Sequence, residues 1–179
     1  YVEHLSWVDL PSTLKRIESS AFGGFKGSVI EFPEGLEYIG DEAFYASVLY
    51  KGIYLPEGLT TVGNRAFYMT GALEAYFPST IENIGEEAFG NTYINYLYFE
   101  GEELPQIAEN AFDGLSIADV DISWKASRAQ MLSAQEFFDG IGQSARVWRM
   151  QNPNVDYVRD GLDVYENGVL TAYTGDQSH

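Results

Sequence analysis

Leu55-Pro-Glu-Gly-Leu-Thr-Thr-Val-Gly-Asn-Arg-Ala-Phe67 returns, with changes, along most of the chain. Its nearest echo is Phe77-Pro-Ser-Thr-Ile-Glu-Asn-Ile-Gly-Glu-Glu-Ala-Phe89. The closing Ala-Phe pair places Phe at positions 22, 44, 67, 89 and 112, at spacings of 22, 23, 22 and 23. Four residues before each Ala stands a branched aliphatic: Ile17, Ile39, Val62, Ile84 or Ile107. Three residues earlier comes Leu14, Leu36, Leu59, Ile81 or Leu104, and three earlier still Pro11, Pro33, Pro56 or Pro78. Several positions held at constant spacing over five copies define a repeat, and a period in this range marks a stacked, one-dimensional architecture.

Working outward from the prolines, each is preceded by a short alternating segment. These are Leu5–Leu10, Val29–Phe32, Ile53–Leu55, Glu74–Phe77, Ile94–Phe99 and Ile117–Ile122, with Glu100 and Ser123 in the proline's place in the last two. A period of two in β-branched and aromatic residues predicts a strand, and proline ends it by removing a ladder donor. The residues one and three before the proline face inward: Leu10, Phe32, Leu55, Phe77, Phe99 and Ile122, with Val8, Ile30, Ile53, Ala75, Leu97 and Val120. One unit cannot cover its own apolar edge, but stacked units can. The expected fold is a right-handed solenoid with a parallel β-sheet on one face and mostly irregular or short helical turns on the other. The Ala-Phe pairs pack opposite the sheet.

The unit Leu-Pro-x-x-Leu-x-x-Ile-Gly-x-x-Ala-Phe resembles the leucine-rich repeat of BspA-like bacterial surface proteins. Two positions depart from related patterns. The Asn or Cys of the general leucine-rich repeat is replaced by Thr13, Gly35, Gly58 and Thr80. The Cys often found three residues after the Ala-Phe pair is replaced by Phe25, Ser47, Thr70, Thr92 and Leu115. The resemblance implies a leucine-rich-repeat solenoid from a cell-surface or secreted bacterial protein, with adhesion or host-protein binding as its role. It brings no catalytic residues and no cofactor.

Residues 1–123 form the expected repeat array of about five to six coils. Residues 124–150 are expected to cap it with a helix and a strand. Ser127 is the predicted N-cap of a helix to about Phe138 that stops at Gly140, with Met131, Leu132, Ala134 and Phe138 as its inner stripe. Arg146–Met150 reads as a further short strand. Residues 151–179 are expected to hold a linker around Asn152-Pro-Asn154 and a hairpin from Gly161–Tyr165 and Gly168–Tyr173, the possible opening of a further array. The absence of Met at position 1 suggests a piece of a longer protein.

The formal net charge is −17, and residues 1–123 carry 20 acidic against 5 basic side chains. Such a surface repels phosphate backbones, which argues against nucleic acid and against direct insertion into an anionic membrane. The chain has no Cys, so neither disulfides nor thiolate metal sites are available. His4 and His179 lie at opposite ends and make a poor basis for a metal or catalytic centre. Asp156, Asp160 and Asp163 do not match a calcium loop and read as a solvated turn. Asp41-Glu42 and Glu86-Glu87 read as solvated charge.

The outward strand positions, two and four before the proline, are the candidate site. One row runs Asp9, Glu31, Tyr54, Tyr76, Tyr98, Asp121; the other contains Trp7, Glu74, Tyr96 and Asp119. Strands ~4.8 Å apart would align the tyrosines into an aromatic row with carboxylates at either end. A purely structural reading is that stacked tyrosines stabilise the sheet. The functional reading is a binding surface for a host or neighbouring-cell protein or a glycan. The alternatives are a ligand-free spacer in a modular surface protein and, last, an enzyme, for which no motif stands out.

Overall fold

The computed structural model describes residues 8–151 throughout, and Asp163–Glu166 and Val169–Tyr173 by their backbone. The elements are β1 (Arg16–Ile17), β2 (Tyr38–Ile39), β3 (Ile53–Tyr54), β4 (Thr61–Val62), β5 (Glu74–Phe77), β6 (Asn83–Ile84), β7 (Tyr96–Phe99), β8 (Gln106–Ile107), β9 (Asp119–Ile122), α1 (Arg128–Gly140), β10 (Arg146–Arg149), β11 (Asp163–Glu166) and β12 (Val169–Tyr173). They form a leucine-rich-repeat solenoid of parallel sheets with one C-terminal helix. The strand face is a five-stranded sheet in the order β3-β5-β7-β9-β10, parallel throughout.

A second parallel sheet, β1-β2-β4-β6-β8, runs along the solenoid from two-residue strands. Sequence periodicity did not anticipate it, because two residues are too few to alternate. Its signal was the aliphatic before the Ala-Phe pair, since Ile17, Ile39, Val62 and Ile84 are the buried second residues of these strands. The Ala-Phe side is made of turns, and it too is hydrogen-bonded coil to coil. Phe22, Phe44, Phe67 and Phe89 donate their N–H groups to the oxygens of Ala43, Ala66, Ala88 and Ala111 at 2.7–3.0 Å. Left-handed residues flank the first four pairs, for example Arg65 (φ 54°) and Met69 (φ 59°) around Ala66-Phe67. That conformation costs roughly 1–2 kcal/mol for an L-residue. It is held because Arg65 and Met69 in turn donate to the oxygens of Glu86 and Gly90.

The interior is an aromatic spine. Phe22, Phe44, Phe67, Phe89 and Phe112 stack in sequence with centroids 5.2–5.8 Å apart. Phe44, Phe67, Phe89 and Phe112 are fully buried, and Phe22, in the first coil, is half-buried. The phenylalanines that precede the prolines meet this spine edge-on, Phe32 against Phe44 and, from β5, Phe77 against Phe89. The Ala beside each spine Phe is at 0 % exposure from Ala43 to Ala111, where a larger side chain would collide with the next coil.

Three of the four carboxylates read as solvated, Asp41, Glu42 and Glu87, also tie coils together. Asp41 Oδ1 accepts the Asn64 N–H at 2.8 Å, and Asn64 Oδ1 accepts that of Glu86 at 2.8 Å. An Asx ladder therefore exists, at the Gly-x corner. A Cβ at Gly63 or Gly85 would stand 2.7 Å from the backbone nitrogen of Asp41 or Asn64, so the corner requires glycine. Arg65 bridges Glu42 at 2.9 Å and Glu87 at 3.3 Å and lies over the Tyr45 and Tyr68 rings.

Neither Val29–Phe32 nor the described part of the first predicted strand, residues 8–10, forms a strand, so Asp9 and Glu31 lie outside the sheet. The neighbouring third coil differs in length. Phe44 to Pro56 is 12 residues, against 11 from Phe22 to Pro33 and from Phe67 to Pro78. The added residue lies ahead of β3, which is confined to Ile53–Tyr54 at the edge of the sheet.

Helix α1 begins as predicted. Ser127 and Gln130 make a reciprocal capping box, with the Gln130 N–H on Ser127 Oγ at 3.2 Å. Ala134 and Phe138 are buried, Phe138 against Phe112 at 6.3 Å, so the helix closes the end of the spine. Leu132, expected inside, is 54 % exposed, because it does not share the helix face of Ala134 and Phe138. Gly140 is the last helical residue rather than the stop; the left-handed residue is Gly142 (φ 78°). β10 adds to the strand face beside β9. β11 and β12 pair antiparallel as a separate sheet, in keeping with the expected hairpin. The Asn152-Pro-Asn154 linker, Asp156, Asp160, His4 and His179 lie outside the described residues, as does the side chain of Asp163.

Candidate functional site: the tyrosine ladder of the strand face

Alternation along β3, β5, β7 and β9 turns one side chain in two outward, and parallel register stacks like on like. Tyr54 is paired with Tyr76, Tyr76 with Tyr98, Tyr98 with Asp121 and Asp121 with Trp148. The neighbouring row pairs Glu74 with Tyr96, Tyr96 with Asp119 and Asp119 with Arg146. The structure thus brings together Tyr54, Glu74, Tyr76, Tyr96, Tyr98, Asp119 and Asp121. It leaves exposed Asp9 and Glu31 unpaired with the sheet, and Trp7 lies outside the described residues.

The rings of Tyr54 and Tyr76 stack at 4.6 Å and 16°, and those of Tyr76 and Tyr98 at 4.2 Å and 5°. At these separations each ring covers its neighbour's face. What Tyr76 offers to solvent is its edge and hydroxyl. Within the ladder the facing ring surfaces are therefore covered, and only the outer faces of the end rings, Tyr54 and Tyr98, have no stacked neighbour.

Glu74 organises the ladder. Tyr54 donates its hydroxyl to Oε1 at 2.8 Å, and Tyr76 donates to Oε2 at 3.4 Å. Gly52 makes room for this carboxylate. A Cβ at Gly52 would lie 2.8 Å from Glu74 Cγ and 2.9 Å from Tyr54 Cε2. The phenols are held neutral. The hydrogen bond to Glu74 raises the Tyr54 pKa. Tyr76 is raised chiefly by partial burial, with Tyr98 and Glu74 adding to it. Tyr98 is also raised chiefly by partial burial, with the hydrogen bond to Tyr76 acting against the shift and the Asp121 and Glu74 charges adding to it.

The predicted carboxylate end of the ladder is not an end. β10 lies beyond it and places Arg146 and Trp148 on the same face, a contribution absent from the candidate list because Arg146–Met150 lies outside the repeat. Arg146 Nη2 pairs with Asp119 Oδ1 at 2.9 Å, and the Trp148 indole N–H donates to the same oxygen at 2.9 Å. Asp121 differs. Its pKa is raised by desolvation and by the Asp119 charge, and among the described residues its carboxylate has no hydrogen-bond or ion-pair partner.

Seven large hydrophobic side chains stand exposed among the described residues, and six of them fall between Tyr50 and Tyr96. Tyr54 and Tyr96 belong to the strand face. Tyr50, Leu73 and Tyr93 lie just ahead of its strands, and Met69 sits on the adjoining turn. These exposed apolar side chains are thus concentrated in the middle coils rather than spread along the chain.

The BspA type leucine-rich repeat region matches residues 1–124 in six copies. The chain belongs to the BspA type leucine-rich repeat family. No curated protein matches it. BspA type repeats are protein-interaction or structural modules, typically non-catalytic and commonly surface-associated in bacteria. No helix among the described residues is long and apolar enough to cross a membrane.

Proposed function

We propose that this BspA type repeat array is an adhesion module of a bacterial surface protein, exposed outside the cell, and that it binds a host or neighbouring-cell protein through the tyrosine ladder. The observation that carries the reading is the ladder itself. Three stacked tyrosines fixed by Glu74 and flanked by Tyr50, Leu73, Tyr93 and Tyr96 form a stiff amphipathic surface. Aromatic side chains already ordered by the sheet bind with little further loss of rotamer freedom. A protein is favoured over a glycan because the facing ring surfaces of Tyr54, Tyr76 and Tyr98 are occupied by one another, which leaves hydroxyls and ring edges along most of the ladder.

The test compares the wild type with the variant carrying Tyr54→Ala, Tyr76→Ala and Tyr98→Ala on one cell-surface protein preparation. The prediction is that a partner retained by the wild type is lost from a variant that still unfolds cooperatively. A partner retained equally by both would refute the placement. A wild-type chain that retains no protein and no glycan would favour the alternative role, a spacer without a ligand of its own.

A further inference from the structure

The strand-face row reads Tyr54, Tyr76, Tyr98, Asp121, Trp148 across five consecutive strands. Four positions are aromatic and one is a carboxylate with an aromatic neighbour on each side. We infer that this position is a cation seat: Asp121, between Tyr98 and Trp148, receives a lysine or arginine side chain of the protein partner. The inference rests on the binding role proposed above and specifies the partner as one that presents a basic side chain to the C-terminal end of the ladder.

Three observations support it. The first is the difference in use among the carboxylates of the face. Glu74 accepts two tyrosine hydroxyls, and Asp119 holds Arg146 and the Trp148 indole, whereas Asp121 engages no partner among the described residues. A half-buried charge with no counter-charge is costly, and an incoming cation relieves that cost. The second is shape. Tyr98 and Trp148 sit on the two strands flanking β9, so their backbones stand about 9–10 Å apart, with Asp121 between them. A guanidinium or ammonium that reaches Asp121 therefore lies beside aromatic rings, where cation–π attraction adds to the ion pair. Asp119 already anchors the indole on one side of this position. The third is charge. Residues 1–123 hold 20 acidic and 5 basic side chains, a field that draws in a basic partner and speeds its encounter. Arg146 is the competing cation nearby, but its guanidinium is engaged by Asp119 and lies over the Trp148 ring at 5.5 Å.

The experiment uses the full 179-residue chain and defined probes. Indole N–H signals are followed by NMR while N-acetyl-arginine amide, N-acetyl-lysine amide and the uncharged N-acetyl-citrulline amide are added in turn. The expected result is a saturable shift of the Trp148 indole with both cationic probes and at least tenfold weaker binding of citrulline. In Asp121→Asn the cationic probes should fall to the citrulline level, while Asp113→Asn, an exposed carboxylate on the turn after Phe112, should behave as wild type. Asp121→Asn removes an unpaired charge and keeps the side-chain shape, so folding is preserved. Equal binding of the cationic probes to wild type and Asp121→Asn overturns the seat, as does an unmoved Trp148 signal. The two proposals fail separately. If the triple tyrosine variant loses a partner that Asp121→Asn keeps, the ladder stands as the binding face and the cation seat falls. A chitin or cellulose oligosaccharide that shifts Trp148 while the arginine probe does not would also overturn the seat.

Discussion

Replacing Phe67 by Ala removes the middle ring of the aromatic spine, and the structure sets the size of the loss. Phe67 is at 0 % exposure, stacks on Phe44 at 5.2 Å and on Phe89 at 5.3 Å, and meets Phe32 edge-on at 6.3 Å. Truncating a fully buried Phe costs about 3–5 kcal/mol. Here the hole opens between coils that support one another only through nearest neighbours, so the upper part of that range is expected. Phe22 provides the internal control. It occupies the same place in the repeat but is half-buried and has a spine neighbour, Phe44, on one side only. Its loss should cost about half as much, roughly 1.5–2.5 kcal/mol on the same scale. Urea unfolding followed by far-ultraviolet circular dichroism measures both. A Phe67→Ala loss of less than about 1 kcal/mol, well under the range for a buried ring, would refute the stacked spine. Equal losses at Phe67 and Phe22 would also refute it.

Further outcomes follow from the same contacts. Gly52→Ala should push Glu74 off Tyr54 and cost about 1–3 kcal/mol by overpacking, with the Tyr54 phenol titrating closer to its ordinary value; an unchanged Tyr54 titration would contradict the role given to Gly52. Ser127→Ala should destabilise by about 0.5–2 kcal/mol through loss of the capping box, read as a lower urea midpoint. The phenols of Tyr54, Tyr76 and Tyr98 keep their protons in the folded chain above the pH at which unfolded tyrosine loses them. Unfolding then releases protons, so stability should fall as pH rises beyond about 10, and the fall should be smaller in the triple Ala variant. For Asp121 the folded-state pKa is also raised, so its ionisation should lower stability as pH climbs from the ordinary carboxylate range. Asp121→Asn should remove that decline, as measured by urea midpoints across acidic pH.

Much of the architecture was legible because the repeat writes it five times. Phe22 to Phe112 and the aliphatics ahead of them gave the spine and the stacking direction, and the alternation in Glu74–Phe77 and Tyr96–Phe99 gave the strand face and its tyrosine row. What escaped had weak local signals. A two-residue strand such as Thr61–Val62 has no period to detect, and its pairing exists only between coils. Val29–Phe32 alternates well but has no strand partner, beside a third-coil strand of only two residues, Ile53–Tyr54. Arg146 and Trp148 lie outside the repeat, so their place beside Asp119 and Asp121 is a product of the fold around α1. Ion pairs such as Arg65 with Glu42 and Glu87 depend on side chains 22 and 23 residues apart, a spacing the repeat supplies but which composition alone does not interpret.

The central claim is that successive coils lie in register, with phenylalanines stacked inside and tyrosines stacked outside. Nuclear Overhauser contacts between aromatic rings, recorded with Phe and Tyr labelled separately, test it most directly. The expected contacts link Phe22 to Phe44, Phe44 to Phe67, Phe67 to Phe89 and Phe89 to Phe112, and link Tyr54 to Tyr76 and Tyr76 to Tyr98. Ring contacts that skip a coil, or tyrosine rings with no contact to one another, would contradict the account.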